Sequence, residues 1–173
     1  LTVRRAGRML LTAFTITPDG AIRERFPEDL RCNRLLIYGL EGEMFFGASA
    51  ALESHFQQIE QRIDQHTCAV VLRLKRARNA DAAGMILLKE FVDRVQARGV
   101  HVLLCGVRRD LAHRMETTGL SVSIRTPIFR EEKVPLTSTI MAIRHAYQLI
   151  GDPCASCPRR DSGEGNPSLR YVF

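Results

Sequence analysis

The chain has 173 residues, of which 45% are hydrophobic and 25% are charged, and its formal charge at pH 7 is +6. These values are ordinary for one globular domain with appendages, and they exclude a disordered, collagen-like or disulfide-scaffold chain. The sequence contains no apolar run long enough to span a bilayer. Its cations are mostly arginines spread along the chain without interleaved aromatic residues, so no nucleic acid partner is predicted. Because the first residue is Leu1, we expect the chain to be part of a longer protein.

The first 34 residues are the least regular part of the sequence. Met9–Ile16 is apolar and prone to β-structure, but the turn-forming residues 17–20 end it, and Arg23–Arg34 is dense in charge. We therefore predict that residues 1–34 are a lead-in or linker with one candidate strand. The sequence leaves open whether that strand joins a sheet.

From Leu35 onward, strand and helix patterns alternate. Short apolar runs predict strands at Leu35–Tyr38, Ala69–Leu74, Val100–Cys105 and Val122–Ile124. Apolar residues at helical spacing and turn residues predict helices at Ala48–Gln65, Leu87–Gly99 and Asp110–Thr118, a loop at Pro127–Pro135, and a last helix that Thr137 or Ser138 caps and Gly151 ends.

This alternation predicts an α/β domain over residues 35–151. Its mixed β-sheet has four to five strands, partly parallel, with about four helices packed on it. Residues 152–173 contain Pro, Gly, Ser and charged residues without apolar periodicity. Such a segment cannot bury enough surface to offset its ordering entropy, so we predict a flexible C-terminal tail.

The most informative segment is a strand, a basic loop and the sequence Asp81-Ala82-Ala83-Gly84 at the start of a helix. The N-terminus of a helix offers unpaired N–H groups and the positive end of a dipole. Arg76, Arg78 and Asn79 lie just before it and are candidate contacts for an anion; a solvated basic loop is the alternative. Asp81 can also cap the helix itself, and we favour capping over a catalytic role.

This segment resembles the core of a STAS domain, the module shared by anti-sigma factor antagonists and the cytoplasmic C-terminal tails of bacterial SulP anion transporters. In that family a strand leads into an Asp-Ser/Ala-Ser/Thr-Gly loop at the start of a helix, which corresponds here to residues 81–84. The resemblance runs from about Leu35 to Ile150. Tyr38–Ala48, Leu72–Ala83 and Thr139–Tyr147 are similar to three segments of the SulP tails in particular.

The resemblance implies a STAS-like fold and a non-catalytic regulatory or interaction role. The implied partner is the transmembrane portion of the same transporter, at the cytoplasmic side of the inner (plasma) membrane. Contacts with a nucleotide, here at Arg76, Arg78 and Asn79, or with an acyl carrier protein are implied too. The sequence is compatible with an oligomer but leaves the oligomeric state open. In the sigma-regulating branch a Ser or Thr of the loop receives phosphate. Ala82 and Ala83 have no nucleophilic oxygen, so this loop is a degenerate phosphoacceptor. The alternative is a free-standing STAS regulator that resembles an anti-sigma factor antagonist.

A second site-like motif is Cys154-Ala155-Ser156-Cys157, which can form half of a zinc site or a redox pair. The sequence has no second Cys-x-x-Cys, and this pair does not start a helix after a strand as a thioredoxin-like dithiol does. We therefore favour two exposed thiols in a flexible segment or a labile disulfide, and we predict no metal and no cofactor. A zinc or redox module is the third hypothesis. Since no phosphate loop, helical His pair or nucleophile–base signature is present, we predict no catalytic residues and no enzyme.

Overall fold

The computed structural model describes residues 9–134, 136–152, 154, 157 and 169–172. Within them, seven strands form one sheet: β1 (Leu10–Ile16), β2 (Ala21–Glu24), β3 (Leu35–Glu43), β4 (Ala69–Arg78), β5 (His101–Val107), β6 (Phe129–Arg130) and β7 (Arg170–Tyr171). The helices of the same residues are α1 (Ser49–Glu60), α2 (Ala82–Ala97), α3 (Arg109–Thr117), α4 (Leu120–Ser123) and α5 (Thr137–Ile150), and a 3₁₀ turn at Phe46–Ala48 precedes α1.

The strands lie in the order β6-β5-β4-β3-β1-β2-β7. β3, β4, β5 and β6 are parallel to one another, and β2 is parallel to β7. β1 is antiparallel to both of its neighbours, β2 and β3. The connections from β3 to β4 and from β4 to β5 each contain a helix, as parallel neighbours require. The mixed α/β sheet predicted from the alternating pattern is confirmed, with three short strands, β2, β6 and β7, in addition to the longer ones.

The central strands are apolar on both faces because helices cover both. In β4, Val70 and Leu72 face one core, which α1, α2, α3 and α4 close, and Ala69 and Val71 face a second core under α5. All four side chains are completely buried. This continuous apolar pattern is typical of parallel strands between two helical layers.

Three local predictions are wrong. The stretch Val122–Ile124 is not a strand: Leu120–Ser123 forms α4 after Gly119 reverses the chain at φ 75°, and the Val122 side chain is 87% exposed. Inside the predicted loop, Phe129–Arg130 pairs with β5 as the edge strand β6. Neither Thr137 nor Ser138 caps α5 with its side chain, because the capping position is Leu136, at φ 73°.

The candidate strand in the first 34 residues is β1, and it lies inside the sheet. It continues through a tight turn into β2, where Ile22 is completely buried. At the other end of the chain, β7 pairs with β2, and Leu169 is buried in the core under α5. Most of the predicted tail lies outside the described residues, so the domain boundaries stay a prediction. None of the described helices has both the length and the apolarity that a membrane span requires.

Ser138 has a structural role that differs from capping. It is 2% exposed, and its hydroxyl oxygen accepts a hydrogen bond from the backbone N–H of Gly106 in β5, at 3.1 Å. This bond joins α5 to β5 and gives a buried backbone donor an acceptor.

We predict that Ser138→Ala lowers the free energy of unfolding by about 1–3 kcal/mol, because the buried N–H of Gly106 loses its acceptor. Urea unfolding measures this loss. The matched control is Ser54→Ala on the exposed side of α1, where the hydroxyl meets only the Gln58 amide at 3.5 Å. The control should stay within about 0.5 kcal/mol of wild type. Equal losses in the two variants would contradict the assignment.

Candidate functional site

The loop at residues 81–84 lies at the carboxyl end of β4, where α2 begins. The Asp81 carboxylate accepts a hydrogen bond from the backbone N–H of Gly84 at 2.9 Å and another from the N–H of Phe46 at 2.8 Å. The first bond caps α2, as the sequence analysis favours for Asp81. The second holds the turn that follows β3. These N–H donors, Gly84 first, keep the pKa of Asp81 below its usual value.

Backbone bonds tighten the same junction. The N–H of Met44 donates to the carbonyl of Arg78 at 2.8 Å, and the Met44 carbonyl accepts from the N–H of Asp81 at 3.0 Å. Gly84 lies against this carbonyl so closely that an added Cβ atom would be 2.4 Å from the Met44 oxygen. The glycine of the motif is therefore required by the close approach of α2 to the end of β3.

The two alanines of the loop differ in exposure but share one chemical property. Ala82 is exposed and Ala83 is half-buried. Neither has an atom that can accept a phosphoryl group. The negative charge at the N-terminus of α2 is supplied by Asp81 itself, so an external anion would have to approach a carboxylate there. The loop thus offers a rigid surface without nucleophilic chemistry.

The structure brings Arg76, Arg78 and Asn79 to the same edge, beside acidic residues of β3. The Arg76 guanidinium lies 3.0 Å from Glu41, and the Asn79 amide donates to Glu43 at 3.0 Å. Arg78 is exposed. Because β4 and β3 run parallel in register here, each basic residue has an acidic neighbour on the next strand. The anion contact therefore stays a prediction, and any anion must compete with these carboxylates.

The Cys-x-x-Cys segment lies at the opposite end of the parallel strands. Cys157 is only 8% exposed and packs in the core under α5, and Cys154 is half-buried against the same core. The interpretation of two exposed thiols is therefore wrong, because both cysteines pack against the core under α5. Among the described residues, no group of three or more His, Cys, Asp or Glu side chains is placed to hold a metal ion.

A cavity of about 790 Å³ lies between the 25–33 loop, β1 and β3, and no sequence pattern indicated it. Tyr38, Arg25, Arg31 and Arg62 line it. Burial raises the pKa of the Tyr38 hydroxyl, and the positive charges of the three arginines oppose that shift. These residues come from separate segments of the chain, so no spacing in the sequence could indicate that they line the same cavity.

Comparisons with known proteins identify a family and a fold. The model of the STAS domain matches residues 27–134. The structure of a sulfate transporter family protein from Wolinella succinogenes has a TM-score of 0.55 and 24% identity, and the alignment covers 71% of this chain and 93% of that one. The murine anion transporter Slc26a9 (Solute Carrier 26 family member A9), in its inward-facing state, has a TM-score of 0.64 and 11% identity over 81% of this chain and 23% of that one. None of the curated proteins matches the sequence. At these identities the two structures show a shared fold.

We predict that Asp81→Ala lowers the free energy of unfolding at pH 7 by about 1–2 kcal/mol, the usual cost of a lost helix cap. Asp81→Asn should lose less, because its amide oxygen still accepts a hydrogen bond. Urea unfolding of both variants tests this.

The difference in unfolding free energy between wild type and Asp81→Ala depends on pH. Since the pKa of Asp81 is lowered in the folded chain, its contribution is complete above the ordinary value of 3.8 and is lost as the pH falls through the folded value. The difference between wild type and Asp81→Ala should therefore shrink only in strong acid. A difference that is absent at pH 7 would refute the proposed role of Asp81.

Proposed function

Because the chain belongs to the STAS domain family, we propose that it is the non-catalytic regulatory and interaction domain of a SulP-type anion transporter. Its partner is then the transmembrane portion of its own parent protein, and it lies at the cytoplasmic side of the inner (plasma) membrane. The domain assists assembly, trafficking or gating, and the transmembrane portion carries the anion.

The single observation that carries this proposal is that the loop at residues 81–84 has no side chain that can be phosphorylated. A partner-switching regulator needs a hydroxyl in this loop, because phosphorylation there changes which partner it binds. Ala82 and Ala83 have none, and both Asp81 carboxylate oxygens are already engaged with backbone donors. A loop that phosphorylation cannot switch suits a domain that stays attached to one partner.

The similar structures support the proposal in a limited way. The Wolinella succinogenes protein is described as a member of the sulfate transporter family, and Slc26a9 is described as an anion transporter. The chain spans 23% of the Slc26a9 chain, so the similar part of that transporter is one portion of a larger protein. The transport activity belongs to those proteins, and its extension to this chain is the proposal.

A free-standing STAS regulator is the alternative. It would share the fold, but it would need a phosphoacceptor outside positions 82 and 83. The nucleotide and acyl carrier protein contacts implied by the resemblance gain no support from the loop, since Arg76 and Asn79 already bind Glu41 and Glu43.

We predict that an antibody raised against this chain detects the native protein in the membrane fraction of the source cells. Alkaline carbonate should not release it, whereas detergent should, because its parent would be embedded in the bilayer. The 173-residue chain expressed alone is the control for loose adsorption. A native band near 19.5 kDa in the soluble fraction would support the free-standing regulator and contradict the proposal.

We also predict that a STAS-directed kinase with ATP adds no phosphate to the 81–84 loop of the wild-type chain. The variants Ala82→Ser and Ala83→Ser restore a hydroxyl and serve as matched controls. Intact mass and peptide mapping would detect a phosphate as a gain of about 80 Da. A wild-type phosphate on a residue flanking the loop would show that the switch is present at another position.

A further inference from the structure

Four of the five cysteines come together, although they belong to three separate segments of the chain. Cys32, Cys68 and Cys154 interact with Arg34, and Cys157 interacts with Cys32. The Arg34 guanidinium donates to the carbonyl oxygens of Ile150 and Asp152 at 3.0 and 2.7 Å, and it lies 3.7 Å from the sulfur of Cys68. Arg34 therefore fastens the end of α5 to the start of β3. This places the Cys-x-x-Cys segment beside the loop that carries Cys32.

Three of these cysteines also pack together in the core under α5. Cys157 is buried in this core, and Cys32 and Cys154 are half-buried against it. A turn, in which the N–H of Cys157 donates to the carbonyl of Cys154 at 3.1 Å, folds the two ends of the motif toward each other. All five cysteines are outside disulfides in this structure. The motif is thus a neighbouring thiol pair with a third sulfur at its side.

The positive charge of Arg34 bears on whether these thiols exchange with a disulfide or bind a metal. The sulfurs of Cys68, Cys154 and Cys32 raise the pKa of Arg34, which means that the guanidinium interacts favourably with negative sulfur. A fixed cation repels a second cation, so Arg34 disfavours a metal ion at these sulfurs. Burial raises the pKa of Cys32, which keeps that thiol protonated. Within the pair, Cys154 is half-buried and Cys157 is buried, so Cys154 is the more accessible nucleophile.

We propose that Cys154 and Cys157 form a disulfide by exchange with a small-molecule disulfide, with Cys154 reacting first and the buried Cys157 second. The Cys154 thiolate attacks one sulfur of the small disulfide, and the other sulfur leaves as a thiolate with the bonding electron pair. Cys157 then loses its proton to solvent and attacks the Cys154 sulfur, which releases the second small thiolate. Two protein thiols are oxidised, and one small disulfide is reduced to two thiols.

This order follows from accessibility. A molecule the size of glutathione disulfide can reach the half-buried Cys154, but it cannot reach Cys157, which is 8% exposed. The turn across the motif then lets Cys157 complete the reaction from inside. The product is a covalent ring that joins Cys154 and Cys157 shortly after α5.

The experiment treats the reduced 173-residue chain with glutathione disulfide and follows intact mass and peptide maps. Wild type should become about 2 Da lighter, with the bond mapped to Cys154 and Cys157. Cys157→Ser should stop at the first step and gain about 305 Da of glutathione on Cys154. Cys154→Ser should not react at position 157.

Two controls test whether the reaction is specific to Cys154 and Cys157. Cys68→Ser removes another sulfur beside Arg34 but leaves the pair intact, so it should oxidise like wild type. Cys105 is completely buried, and burial raises its pKa to about 12, so it should stay unmodified in every sample.

Three results would overturn the proposal: a disulfide between Cys32 and either member of the pair as the main product, glutathione on Cys157 of the Cys154→Ser variant, or stoichiometric zinc in the purified chain. A folded wild-type chain that keeps all five thiols under the same treatment would overturn it too. None of these measurements depends on the transporter assignment, so the two proposals fail separately.

Discussion

The interaction on which the rest of the structure depends is the pair of hydrogen bonds made by the Asp81 carboxylate. One oxygen caps α2 through Gly84, and the other holds the N–H of Phe46 in the turn after β3. Without this bridge the N-terminus of α2 would have an unsatisfied donor, and the turn before α1 would lose its fixed position. Both helices close the same face of the sheet, where Phe56 of α1 stacks on Phe91 of α2 with ring centroids 4.5 Å apart. A single surface residue thus sets the position of much of the core.

The same bridge limits what the loop can do. A carboxylate already occupies the helix N-terminus, Gly84 allows no side chain against Met44, and the remaining two positions are alanines. What remains is a rigid surface at the carboxyl end of β4, bordered by alternating basic and acidic residues of β4 and β3. A surface of this kind can bind a partner by shape and charge, but phosphorylation at positions 82 and 83 cannot switch it. This is the physical basis for the view that the domain serves one permanent partner.

The central strands and the long helices could be predicted because each carries many residues in phase. The first half of β4 and most of β5 are apolar, and α2 repeats its apolar residues over four turns. Each of these patterns therefore depends on many residues. β2, β6 and β7 have only two to four residues each, and their pairing depends on partners far away in the sequence. Asp81 could be identified as a cap because capping is a local property. The inward position of Ser138, the arginine-lined cavity at Tyr38 and the cysteines around Arg34 could not, because the topology of the sheet creates them.

The central proposal is that this domain has a permanent partner within the same polypeptide, and the rigid surface at residues 81–84 is its proposed contact. The most direct measurement places a photo-crosslinking amino acid at the exposed position 82 of the native protein in its own cells, with the same group at exposed Leu149 on α5 as the control. We expect position 82 to crosslink to membrane-embedded segments of the same polypeptide, under all growth conditions. Capture of a separate soluble protein at position 82, in amounts that change with phosphorylation of the cells, would contradict the claim.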